Sequence, residues 1–175
     1  GYYAGYQNSG AGQTALGSYA SYQNSGAGQT ALGYYAGYQN TGAYQTASGY
    51  AAGFQNTGAY QTASGYQAGY NNSGDNLVAL GYEAGKDNTV NNQFIVQQAN
   101  VNAVPLIQGD FSTGYVGIGT TTPQNTLNVV GDINVTGISY LKNITLSNGG
   151  SLYENATCTF LTSPDGSATL EVCNT

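Results

Sequence analysis

Histidine, methionine and tryptophan are absent from this sequence, and charge is scarce. Two Lys and eight Asp or Glu occur in 175 residues, against roughly a quarter charged in an average soluble protein. Without histidine there is no Ser-His-Asp triad and no Cys-His pair, which removes most nucleophilic hydrolases. Two basic residues, Lys86 and Lys142, cannot neutralise a phosphate track, so nucleic acid is not an expected partner. No apolar run approaches the roughly 20 residues of a membrane-spanning helix, and no membrane insertion by this segment is expected. No signal peptide and no initiator Met are seen, so the chain reads as a processed or excised piece of something longer. None of the first 74 residues is charged; Asp75 is the first, and the net charge of −6 arises wholly from there onward.

Glycine (27) and tyrosine (17) are abundant instead. They are placed periodically. Gly1, Gly17, Gly33, Gly49, Gly65 and Gly81 recur every 16 residues, as do the alanines from Ala4 to Ala84 and the asparagines from Asn8 to Asn88. The unit reads G-Y-x-A-G-Y-Q-N-[ST]-G-x-x-x-T-A-[LS], and Asn92-Gln93-Phe94-Ile95-Val96 continues it in the register of Asn76-Leu77-Val78-Ala79-Leu80. So many glycines, at about 1 kcal/mol each relative to alanine, reject a helix. Asn-[Ser/Thr]-Gly reads as turn chemistry, because Asn and Gly tolerate positive φ. Two segments between turns, Thr-Ala-Leu-Gly-Tyr and Ala-Gly-Tyr-Gln, are long enough for short strands. The expected fold is all-β: a parallel β-solenoid (β-roll) with one 16-residue coil per repeat, coils stacked at about 4.8 Å over roughly 30 Å. A disordered Gly/Tyr/Gln/Ser tract has a similar composition, but it needs no fixed spacing.

Three regions follow: the repeat solenoid over 1–97, a β-rich connector or shaft over 98–140, and a C-terminal hairpin cap over 141–175. Interior candidates in a 16-residue coil are small, Gly at the first position and Ala at the fourth and fifteenth. Burying a few alanines at about 25 cal/mol per Å² does not offset the ordering of a whole coil. The solenoid is therefore expected to pack against copies of itself, as a homo-oligomer, with a trimer the first choice and end-to-end filaments a further possibility.

Gln13-Thr14-Ala15-Leu16-Gly17, recurring with Tyr-x-Ala-Gly, resembles the head repeats of trimeric autotransporter adhesins. That resemblance implies a left-handed parallel β-roll that trimerises, here with a 16-residue unit in place of a shorter one. Val104-Pro105-Leu106-Ile107-Gln108-Gly109-Asp110-Phe111, Val116-Gly117-Ile118-Gly119-Thr120-Thr121-Thr122-Pro123 and Leu127-Asn128-Val129-Val130-Gly131-Asp132-Ile133 resemble the shaft of phage tail-fibre-like surface proteins. In many of those proteins the shaft leads to a self-cleaving chaperone domain; none of its catalytic residues is carried over to this sequence. The two resemblances cover about residues 1–137.

From Asn125 onward apolar residues alternate, Leu127, Val129, Ile133 and Val135 around a Gly131-Asp132 turn, with Tyr140, Leu141, Ile144 and Leu146 beyond. The end reads as a hairpin. A two-residue Asp165-Gly166 turn sets Cys158 opposite Cys173, and a disulfide there contributes about 3 kcal/mol for a loop of about 15 residues. A Ser163-Pro164-Asp165-Gly166 turn with a bulge shifts that register by one. Two free thiols at a metal site are the weaker reading, since no histidine or third cysteine is available. Asn-x-Ser/Thr sequons at Asn71, Asn134, Asn143 and Asn155 are candidate glycosylation sites, and with the cysteine pair they lean towards an extracellular, cell-surface or virion-surface location.

No enzyme and no cofactor is expected. The eight carboxylates are scattered, most of them beside Gly or Asn; Gly117-Ile118-Gly119 precedes no helix, and Ser73-Gly74-Asp75-Asn76 is too short for a calcium loop. Two aromatic rows remain: Tyr2, Tyr34, Tyr50, Tyr66, Tyr82 at the second position and Tyr6, Tyr22, Tyr38, Phe54, Tyr70 at the sixth. They suit a packing ladder between subunits, or stacking against host or cell-surface glycans. The expected function is that of a structural fibre subunit that projects or adheres. A glycan- or receptor-binding adhesin module is the second reading. An ice-binding solenoid on the row Thr14, Thr30, Thr46, Thr62 is a third.

Overall fold

The computed structural model describes residues 1–134 and 136, and beyond them the strands Thr159–Thr162 and Thr169–Val172. It is all-β over the described residues. Six strands, β1 (Thr14–Leu16), β2 (Thr30–Leu32), β3 (Gln45–Ser48), β4 (Gln61–Ser64), β5 (Val78–Leu80) and β6 (Gln93–Val96), lie side by side in chain order. Each pairs in parallel with the residue 16 further on: Ala15↔Ala31, Ala31↔Ala47, Ala47↔Ala63, Ala63↔Ala79, Ala79↔Ile95. The repeat is a coil, and the coils stack in the register that the glycine spacing predicts.

One strand per coil forms, not two. Ala-Gly-Tyr-Gln is a run of turns with left-handed residues at the third, fifth and seventh positions, as in Tyr35 (φ 58°), Gly37 (φ 59°) and Gln39 (φ 50°). The run is still bonded coil to coil. Gly37 N donates to Ala52 O (2.8 Å), Gln39 N to Tyr22 O (2.8 Å) and Thr41 N to Asn56 O (2.9 Å), and the pattern repeats along the stack. Alternating handedness aims successive N–H and C=O groups along the solenoid axis, so the backbone is satisfied without a second strand. Left-handed placement of a residue with a Cβ costs roughly 1–2 kcal/mol, and the axial hydrogen bonds offset it.

The Asn-[Ser/Thr]-Gly reading also needs correction. The asparagines do not take positive φ; Asn24, Asn40, Asn56 and Asn72 turn their amides inward and are fully buried. The glycine two residues on is required by proximity. A Cβ on Gly42 would stand 2.0 Å from Gly58 O. At the first position both conditions hold: Gly49 has φ +133° and a Cβ there would stand 2.3 Å from Gly65 O.

The interior is narrow. Ala20, Ala31, Ala36, Ala47, Ala52, Ala63, Ala68, Ala79 and Ala84 fill it together with the asparagines and with Gln29, Gln45 and Gln61; among the described residues Leu77 is the largest fully buried side chain. After β6 the sheet changes direction. β7 (Ile107–Asp110) pairs antiparallel with β6, β8 (Tyr115–Ile118) antiparallel with β7, and β9 (Leu127–Val129) parallel with β8. Ile133 is not in a strand, and Val135, Tyr140, Leu141, Ile144 and Leu146 lie outside the described residues. The unit from Asn134 onward is separate; in it β10 (Thr159–Thr162) pairs antiparallel with β11 (Thr169–Val172), Thr159 opposite Val172. That is the register a two-residue Asp165-Gly166 turn requires. Cys158 and Cys173 themselves lie outside the described residues.

Candidate functional surface: tyrosine rows over amide ladders

Inside the solenoid, two ladders of amides run along the axis in opposite directions. Asn40 Nδ2 donates to Asn24 Oδ1, Asn56 to Asn40 and Asn72 to Asn56, each at 2.9 Å, so this ladder donates towards the N-terminus. The second amide hydrogen of each goes to the glycine carbonyl two residues on, as from Asn40 to Gly42 O (2.7 Å). The glutamines at the thirteenth position donate towards the C-terminus: Gln29 Nε2 to Gln45 Oε1, and Gln45 Nε2 to Gln61 Oε1 (2.5 Å). Each also reaches a glycine carbonyl, Gln45 to Gly53 O and Gln61 to Gly69 O at 3.1 Å. A third, exposed ladder joins Gln55, Gln39, Gln23 and Gln7 at 2.8–2.9 Å. Buried amides are tolerated because these bonds are made. The sequence reading missed all three; the visible signals were an asparagine at the eighth position in every coil and glutamines recurring at the seventh and thirteenth.

Outside, the aromatic rows are stacked. Tyr34, Tyr50, Tyr66 and Tyr82 follow one another at 5.5, 5.1 and 4.8 Å between ring centroids, with interplanar angles of 7–17°. Tyr6, Tyr22, Tyr38, Phe54 and Tyr70 do the same at 4.8–5.5 Å. Two further rows were not read from the sequence. Tyr44 stacks on Tyr60 at 5.2 Å, and Tyr3, Tyr19 and Tyr35 form a third-position row at 5.4 and 5.0 Å. This row lies between the other two, edge-on to both: Tyr35 is 4.4 Å from Tyr34 and 5.1 Å from Tyr38. The Tyr35 phenol is pushed up to about 12, first by its hydrogen bond with Tyr34 and then by desolvation.

Two rows are interrupted. Ser18 takes the place of a second-position tyrosine, and Tyr19 closes that gap by packing edge-on to Tyr2 (6.5 Å) and Tyr34 (6.2 Å). The third-position row stops at Ala51. There a notch of about 270 Å³ remains, lined by Tyr35, Tyr50, Ala51, Phe54, Gln67 and Tyr70 with Tyr38.

The threonines of the fourteenth position align on the outer face as expected, Thr14↔Thr30↔Thr46↔Thr62, and give way to Val78 and Phe94. Asn71 and Asn134 are exposed, and Asn71 Nδ2 donates to Asp87 Oδ1 at 2.9 Å. Asn143 and Asn155 lie outside the described residues. Lys86 pairs with Glu83 at 2.7 Å, and that hydrogen bond raises its ammonium above the ordinary lysine range. Asp110 accepts from Ser112 N (2.8 Å) and Ser112 Oγ (2.5 Å) in the β7–β8 turn, which holds its carboxyl below the ordinary range. Among the described residues no three His, Cys, Asp or Glu side chains gather as a metal site. No family model, curated protein or solved structure matches this chain.

Proposed function

We propose that this chain is a structural subunit of an extracellular or virion-surface fibre, working by repeated contact with copies of itself rather than by catalysis. The carrying observation is an inversion of the usual distribution of apolar side chains. The interior holds alanines and amides, whereas Tyr34, Tyr50 and Tyr66 are 41–45 % exposed and Leu16, Leu32 and Leu80 are 37–66 % exposed, in straight rows. The tyrosine row is continuous from Tyr34 to Tyr82, while Ser48 and Ser64 separate Leu32 from Leu80, and exposed apolar surface of this kind marks an interaction face. No charged side chain in the first 74 residues opposes association. A threefold assembly is the first arrangement to test, and the resemblance to trimeric adhesin heads points the same way. The extracellular setting rests on the sequons and the cysteine pair.

Ring stacking supports a packing role for the two rows first read from the sequence. Both faces of an internal ring such as Tyr50 or Tyr66 are covered by its neighbours at 4.8–5.5 Å, leaving edges and hydroxyls outward. Sugar stacking needs an open face. Sedimentation equilibrium with negative-stain electron microscopy of the full chain tests the proposal. Discrete oligomers or filaments are expected, and Leu32→Lys with Tyr50→Lys should dissociate them while the circular dichroism is kept. A folded monomer at micromolar concentrations would overturn the reading.

A further inference from the structure

The two tyrosines of the twelfth position stand apart from the rows assigned to packing. Along the stack this position carries Gly12, Gly28, Tyr44, Tyr60, Asn76 and Asn92, so one aromatic pair is bounded by glycine on one side and asparagine on the other. All six sit at φ between 56° and 68°. The rings of Tyr44 and Tyr60 stack at 5.2 Å with 11° between their planes, and they are 58 % and 59 % exposed. Among the described residues no third ring packs on either. Tyr35, by contrast, packs against Tyr19, Tyr34, Tyr38 and Phe54. The backbone under the pair is fixed coil to coil, Tyr44 N donating to Ala27 O at 2.7 Å and Tyr60 N to Ala43 O at 2.9 Å.

Composition gives this pair a chemistry. Methionine and tryptophan are absent, and Cys158 and Cys173 are read as a disulfide, so phenols are the readily oxidised side chains that the chain offers. A one-electron oxidant therefore draws on exposed tyrosines. The phenoxyl radical that results carries spin on the ring carbons ortho to its oxygen. In the packed rows such a radical has several aromatic neighbours; at Tyr44 or Tyr60 it has one.

We propose that Tyr44 and Tyr60 are a site of oxidative cross-linking, joined within one chain as dityrosine by hydrogen peroxide acting through a haem peroxidase. Each phenol gives up one electron and its hydroxyl proton; the peroxide takes both electrons and both protons and leaves as two waters. The two radicals couple through one ortho carbon of each ring. The hydrogen on each coupled carbon returns to the phenol oxygen as a proton, so both hydroxyls survive and the product is lighter by two hydrogens. Stacked rings must hinge at Cα–Cβ to bring those carbons together, and the exposure of both side chains leaves room for it. The bond closes the 16-residue step between adjacent coils, and a cross-link of this kind stabilises by restricting the unfolded chain. It uses none of the packing rows and does not rest on fibre formation.

The test mixes isotopically light and heavy full chains, treats them with a haem peroxidase and limiting hydrogen peroxide, and digests them with elastase for mass spectrometry. A peptide joining Tyr44 to Tyr60, lighter than its parts by two hydrogens, should appear as light–light and heavy–heavy pairs only. Tyr44→Phe and Tyr60→Phe, which keep the stacked rings, should each remove it and lower dityrosine fluorescence by more than half. Tyr66→Phe, in the second-position row, should leave it in place. Treatment should raise the urea midpoint of the wild type and not that of Tyr60→Phe. Tyr2 is an internal check, being 67 % exposed but edge-on to Tyr3. Three results would overturn the assignment: no dityrosine in the treated chain, links made chiefly through Tyr2 or between light and heavy chains, or fluorescence indifferent to both phenylalanine variants.

Discussion

The coils from Gly17 to Ser64 and the coil that follows them fill the same outline with different chemistry. In the first three the thirteenth position is Gln29, Gln45 and Gln61, linked by hydrogen bonds; in the next it is Leu77, packed with Ala63, Ala68, Ala79, Ala84 and Ile95. Charge enters at the same place, with Asp75, Glu83, Lys86 and Asp87. The backbone does not register the change. A Cβ on Gly37 would meet Gln29 Nε2 and one on Gly85 would meet Leu77 Cδ2 at 3.1 Å, so the fifth-position glycine makes room for either side chain. The difference lies in what each filling specifies. An inward amide bonds to its own copy 16 residues away and penalises any other register, because an unpaired buried amide costs about 1–3 kcal/mol. Leu77 gives burial without direction. It stands where the glutamine ladder ends, beyond Gln61, and offers no acceptor to leave unmatched.

The comparison is broken most severely by a change that both fillings need excluded. Gly49→Ala puts a methyl 2.3 Å from the Gly65 carbonyl oxygen, on a residue at φ +133°. Overpacking alone costs about 1–3 kcal/mol, and the backbone conformation adds to it. Thermal unfolding followed by circular dichroism should show the largest destabilisation of any single change considered. A melt close to that of the wild type would mean that the coils do not approach as described.

Asn40→Ala comes next. It removes the donor to Asn24 Oδ1, the acceptor for Asn56 Nδ2 and the donor to Gly42 O. At about 1–3 kcal/mol for each buried group left unmatched, the loss should be several kcal/mol. Gln61→Leu should be milder, about 1–2 kcal/mol, because Gln45 Nε2 keeps Gly53 O and the new leucine meets Leu77. Urea denaturation ranks the two. Equal costs would remove the distinction between ladder interior and ladder end.

How much of this was legible follows from what repeats and what does not. The coil length and the strand register were read correctly because each depends on spacing alone; the first-position glycines, expected inside, are only half-buried from Gly17 to Gly81 and are required instead by the close approach of the next coil. The interior was only half read. Alanine at the fourth and fifteenth positions signals burial by size, but Asn40 inside a ladder and an asparagine in a turn share the same neighbours, Ser or Thr then Gly. Local turn chemistry and axial stacking predict the same residue type. They differ in φ and in direction, which a single coil does not encode. The second strand was overread for a related reason: Ala36-Gly37-Tyr38-Gln39 bonds to its neighbouring coils as a strand would, but through left-handed residues. The notch escaped notice because only the second and sixth positions were followed as rows, and Ala51 marks a gap only in the third.

One coil tests the fifth-position rule from within. Ser21 stands where Gly37, Gly53 and Gly69 stand, and its Cβ occupies the space that Gln13 would need. Gln13 turns away and donates to Gly26 O at 2.6 Å instead. Three buried oxygens are left without partners as a result: Ser21 Oγ, Gln13 Oε1 and Gln29 Oε1, the last lacking the donor that Gln29 itself supplies to Gln45. Ser21→Gly should let Gln13 join the ladder and stabilise the chain by about 1 kcal/mol, a gain within the range of one buried hydrogen bond. A rise in the denaturation midpoint with unchanged slope would be the signature. A fall would mean that Gln13 has another reason to turn away.

The smallest effect separates the rows on either side of the break. In the coil before it, Tyr34 packs edge-on to Tyr35 at 4.4 Å and its hydroxyl is the first cause raising the Tyr35 phenol from 10.0 to about 12. In the next coil the partner of Tyr50 is Ala51, and the pair is lost. A raised value means that the folded chain holds this proton more tightly than the unfolded chain does. The associated stability is therefore complete below about pH 10 and disappears as the pH climbs through about 12. Because the ring is solvent-accessible, the effect on folding is expected to be slight, and the direct readout is ionisation. Carbon NMR of ring-labelled tyrosine should find Tyr35 ionising well above the ordinary tyrosine range, and Tyr34→Phe should bring it back towards that range. If Tyr35 titrates in the ordinary tyrosine range in the unaltered chain, the two phenols are not paired, and the third-position row meets the second through ring edges alone.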